Sequence, residues 1–69
     1  MPYLDKDQTF FDFCDRLTSE KASKLSGPDL IDVLLKANTM HNKATSNTAE
    51  RTYSIVISIV NTEILSRMG

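Results

Sequence analysis

The segment Ser26-Gly27-Pro28-Asp29, bracketed by Leu25 and Leu30, restricts most strongly what this chain can become. Ser26 offers a hydroxyl to the free amides of a first helical turn, Pro28 has no amide to leave unpaired there, and Asp29 places negative charge at the positive end of the helix dipole. Leu25 before the cap and Leu30 at the fourth helical position have the spacing of a hydrophobic staple. The helix that starts here carries Leu30, Val33, Leu34 and Ala37 as one stripe as far as about Met40. Ile31, Leu35 and Met40 widen that stripe beyond a half-cylinder, leaving Asp32, Lys36 and Thr39 as the polar strip. A helix this broadly apolar calls for neighbours on two sides, so the flanking segments must supply them.

Upstream, Phe10, Phe13, Cys14 and Leu17 share one face at 3.6 residues per turn, with Phe11 at its margin and Asp12 and Arg16 as an i,i+4 pair outside. Asp7 or Thr9 can cap this helix. Lys21 would fall among the apolar positions, which ends the helix near Ser19 or Glu20. Downstream, residues 38–47 are rich in Asn, Thr, Ser and Lys and read as a loop that lets the next element fold back. Residues 53–60 alternate Tyr53, Ile55, Ile57 and Ile59 with Ser54, Val56, Ser58 and Val60, as a strand would. The helical reading prevails. Asn47 and Glu50 have capping-box spacing, Ala49, Tyr53, Val56, Ile57, Val60, Ile64 and Met68 lie on one face, and Glu63 and Arg67 pair at i,i+4. A strand would also need a partner strand, and no other segment offers one.

The expected fold is therefore all-α: a single domain over residues 1–69 with helices at about 9–19, 28–40 and 48–68. The first is short, and the two longer ones are antiparallel. With 69 residues, of which 41% are hydrophobic and 25% charged, the chain has the composition of a folded domain but only a small core. Domains of this size lean on disulfides, metals or oligomerisation. Cys14 is the single cysteine, so no internal disulfide is available and completion by dimerisation is the expectation. A lone cysteine usable as a small apolar side chain suits the reducing cytoplasm. Charges within the first nine residues leave no apolar signal-peptide core, and no apolar run approaches the length of a membrane span.

No catalytic, cofactor or metal site is expected. Cys14 and His41 are the only residues of their kinds, and no neighbouring base or third orienting group is evident to activate the thiol. Asp5 and Asp7 resemble the opening of a calcium loop, but Phe10 and Arg16 stand where its glycine and its bidentate glutamate are required. They read instead as helix-capping acids. Asp12, Asp15, Asp32 and Glu63 have basic neighbours at helical spacing or lie on polar faces. Zinc ligands of the usual kinds are missing, and Gly27 and Gly69 build no phosphate cradle.

The net charge of -1 argues against a general phosphate-binding surface. Charge is mildly segregated, with seven acids and four bases in residues 1–34 against two acids and four bases in residues 35–69, which favours head-to-tail or antiparallel self-association over repulsion. A nucleic-acid reading would use the loop from His41 to Asn47 and the start of the third helix, with Lys36, Lys43 and Arg51 as the contacts; so few bases make it the lesser alternative. The leading expectation is a non-enzymatic interaction or regulatory module, self-associating or binding another protein through a helix face. Ile55 and Ile59 lie opposite Tyr53 around the third helix, together with Thr62 and Ser66, while Leu65 also falls off the main stripe. Covering each isoleucine is worth roughly 1.5 to 3 kcal/mol. Phe11, Ile55, Ile59, Thr62, Leu65 and Ser66 are accordingly the expected interface residues.

Overall fold

The computed structural model describes residues 7–69. Four helices follow in order: α1 Asp7–Arg16, α2 Ser19–Ser23, α3 Gly27–Lys43 and α4 Asn47–Met68. There is no strand among the described residues, so the Ile/Val-rich run of residues 53–60 is helical throughout. Tyr53, Val56 and Val60 are its buried positions, at the spacing a helix gives to one face.

The start of α3 follows the sequence closely. Ser26 is the cap, its Oγ accepting from the Asp29 amide at 3.3 Å, and Leu30 is fully buried while Leu25 packs at the edge of the core. Its end does not. The polar residues expected to form a loop extend α3 to Lys43, because Asn38 Nδ2 donates to the Leu34 carbonyl at 3.1 Å and Thr39 Oγ1 to the Leu35 carbonyl at 3.0 Å. A side chain that bonds back to the carbonyl one turn earlier is satisfied without leaving the helix, at a slight cost to the backbone ladder. The connection shrinks to residues 44–46, and α4 is capped by Ser46, whose Oγ accepts from the Ala49 amide at 3.2 Å, one position before the expected Asn47.

The first expected helix is two. The α1 ladder stops at Arg16, Leu17 closes a turn onto the Cys14 carbonyl at 3.2 Å, and extended Thr18 caps α2 by accepting from the Lys21 amide. This break resolves the conflict at Lys21: the chain changes direction, Ala22 enters the core, and Lys21 turns out to donate to the Arg16 carbonyl. Thr9 lies inside α1 rather than at its cap, and Asp5 lies outside the described residues.

The core joins α1, α2, α3 and α4 through Phe10, Cys14, Leu17, Ala22, Leu30, Val33, Ala37, Tyr53, Val56 and Val60. Phe10 stacks on Tyr53 at 6.1 Å between ring centroids, Phe11 meets the same ring edge-on at 5.8 Å, and Lys36 Nζ sits 5.7 Å over Phe10. At the other end, Arg67 reaches from the last turn of α4 to the carbonyls of Ala22, Ser23 and Leu25 at 3.4, 3.0 and 2.6 Å. Glu63 holds the guanidinium from behind at 3.5 Å. The end of α4 is thereby fixed beside the entry to α3, and the two long helices are antiparallel.

Candidate functional site

The α3–α4 hairpin has two sides, and α1 and α2 cover only one. Lys36 over Phe10 marks the side of α3 that α1 occupies, and Arg67 marks the end of α4 that α2 occupies. Taking 100° per residue, the charged residues of α3, namely Asp29, Asp32, Lys36 and Lys43, all fall at about 200° to 260° from Leu30. Leu34, Asn38, Ile31 and Leu35 fall at about 40° to 140°, on the opposite flank. On α4, Ile64, Ile57, Met68, Asn61 and Leu65 occupy about 20° to 120° from Tyr53, with Glu50 as the one charged residue among them. Because the helices are antiparallel, these two flanks adjoin. They form an apolar face nearly free of charge on the side of the hairpin turned away from α1.

Four of the five large apolar side chains exposed among the described residues lie on this face, Ile55 being the fifth. Ile31, Leu35, Leu65 and Met68 are 52%, 61%, 66% and 78% accessible, and Leu34, Ile57 and Ile64 lie half-buried between them and the core. α3 therefore has α4 and α1 as neighbours, and its flank carrying Ile31 and Leu35 is left open among the described residues. Exposed apolar side chains gathered on one face, without charge among them, are the usual mark of an interaction surface.

Of the expected interface residues, Ile59, Thr62 and Ser66 are brought together and Phe11, Ile55 and Leu65 lie apart from them. Phe11 packs against Tyr53, and Ile59 is half-buried against the core. Ile55 is 52% exposed but borders a shallow groove with Cys14, Asp15, Leu17 and Thr52. Ile59, Thr62, Glu63 and Ser66 line a second groove with Ser19. The hydroxyl of Thr62 is turned onto the Ser58 carbonyl at 2.9 Å. Leu65 alone belongs to the open face, about 80° around α4 from Ile55. The short helix α2 accounts for part of the difference: it lies beside Ile59, Thr62 and Ser66 on the flank of α4 that three helices would have left bare, while Ile55 stays exposed.

The alternative nucleic-acid trio is dispersed as well. Lys36 is half-buried over Phe10, Lys43 shares its side of α3 about 10 Å further along, and Arg51 sits on α4 nearly opposite the buried face. Cys14 is buried, and desolvation pushes its thiol up to about 12 from 9.0, which keeps it protonated and unreactive at neutral pH. His41 is half-buried in the last turn of α3. Among the described residues no three His, Cys, Asp or Glu side chains are grouped to hold a metal ion, and no helix is long and apolar enough to cross a membrane. No protein-family model, curated protein or solved structure matches the chain.

Proposed function

We propose that this chain is a non-enzymatic protein-interaction module that works by docking its α3–α4 face on an apolar protein surface, with a homodimer as the simplest such assembly. The observation that carries this reading is the charge-free cluster of Ile31, Leu35, Leu65 and Met68. Covering it would remove from water four of the five large apolar side chains that are exposed among the described residues, a sizeable gain for a domain with a small core. A reducing compartment such as the cytoplasm suits a module whose one cysteine serves as a packed apolar side chain.

A photo-crosslinking amino acid at position 35, in the chain expressed at native level in its own host, tests the reading. Protein adducts are expected there, and none from the same probe at Asp12 on the polar surface of α1. Absence of any protein adduct at position 35 would remove the proposal. The nucleic-acid alternative predicts a salt-sensitive mobility shift of duplex DNA, lost on Lys43→Ala with Arg51→Ala; the interaction-module reading predicts no shift.

A further inference from the structure

We infer that the occupant of the α3–α4 face is a second copy of this chain, related by a two-fold axis running along the hairpin, so that each α3 lies antiparallel on the α4 of the other copy. The inference rests on the interaction-module reading and names its partner. Three properties of the face point to self-association.

The first is size. With 17 residues α3 is about 25 Å long, and two helices side by side are roughly 18 to 20 Å across. A footprint on the order of 500 Å² per copy, or about 1,000 Å² for the pair, is the size of a weak, reversible dimer interface.

The second is charge. A surface that meets itself brings a charge near the two-fold axis close to its own image, and here the charged residues of α3 are all on the far flank. Glu50 is the exception, and the proposed axis handles it. Residue 50 lies near the loop end of α4, where the last turn of the other copy's α3 presents His41 and Asn42, so the carboxylate meets polar groups rather than its own image.

The third is helix direction. The short connection of residues 44–46 makes α3 and α4 antiparallel within one copy. A two-fold along the hairpin places each helix antiparallel to its neighbour across the interface as well. The result is a four-helix layer in which adjacent helix dipoles oppose one another. Leu65 and Met68 then cover the start of the other α3, and Ile31 and Leu35 fill the centre.

Sedimentation equilibrium of the full chain from low to high micromolar concentration tests this. The mass should rise from 7.8 kDa towards twice that value. Leu35→Glu should weaken the dimer by about tenfold or more, and Leu65→Glu likewise, each keeping helical circular dichroism because the replaced side chain is exposed. Ile55→Glu should leave the association unchanged. A wild-type chain that stays monomeric at high micromolar concentration overturns the inference, as does a dimer that neither Leu35→Glu nor Leu65→Glu weakens. If the chain is monomeric while the crosslinking probe at position 35 still captures a different protein, the second-copy inference falls and the interaction-module reading stands. If the probe captures nothing, both fall.

Discussion

Replacing Arg67 with alanine should loosen the joint between α2 and α4 without disturbing the centre of the core. The guanidinium donates from one nitrogen to three carbonyls, at 3.4, 3.0 and 2.6 Å, and that nitrogen carries two hydrogens, so the contacts amount to about two full bonds. A hydrogen bond with one charged partner is worth about 1.5 to 3 kcal/mol when shielded from water. The Arg67 side chain is 35% exposed, and water replaces part of what is lost. A net cost of about 1 to 2 kcal/mol follows, with an expected fall in Tm of roughly 4 to 16 °C for a domain of this size. Urea melts followed by circular dichroism give the free energy, and amide exchange in α2 gives the location. Arg67→Lys should recover only part of the loss, because an ammonium cannot span three acceptors with a planar fork. A change below about 0.3 kcal/mol in Arg67→Ala, or no faster exchange in α2, would refute the view that this clasp fixes α2 against α4.

Thr18→Ala should cost about 1 kcal/mol in urea melts by removing the α2 cap, whereas Thr18→Ser should be close to neutral; equal losses would mean that the hydroxyl is not the cause. Cys14 should react with a thiol reagent at neutral pH only as fast as the chain opens, and a rate near that of a free thiol in the folded protein would contradict its burial. Its folded pKa lies above the unfolded one, so the associated stability is fully present below about pH 9 and is lost as pH rises from about 9 towards 12. Cys14→Ala should remove that alkaline component from a stability profile, and an unchanged slope would argue against it.

Local chemistry made much of this fold legible. Ser26, Pro28 and Asp29 determine where α3 starts because capping depends on residues adjacent in the chain, and the buried stripe of Tyr53, Val56 and Val60 identifies α4 through its period. Asn38 and Thr39 mislead because the same side chains that favour loops can bond back to the helix that carries them. Thr18 had a readable signal, an N-cap residue followed by Glu20 in the first turn, but the apolar period across residues 10–17 masked it. The candidate face was the least accessible feature. Which flank of α4 is covered depends on where α2 lies, and α2 is held by contacts between residues 42 to 45 positions apart. Ile59 therefore reads as bare in a three-helix picture and Ile31 and Leu35 as covered, while Ile55 is exposed as that picture has it. The distribution of charge on α3 is a signal within the sequence that could have reversed this assignment.

The claim that the α3–α4 face is the surface this protein uses is tested most directly by methyl NMR with a soluble paramagnetic chelate, recorded at low and at high protein concentration. Dimerisation through this face predicts that the methyl signals of Ile31, Leu35, Leu65 and Met68 are quenched in the dilute sample and protected in the concentrated one, while that of Ile55 is quenched in both. Protection of Ile55 with continued quenching of Leu35 and Leu65 would contradict it.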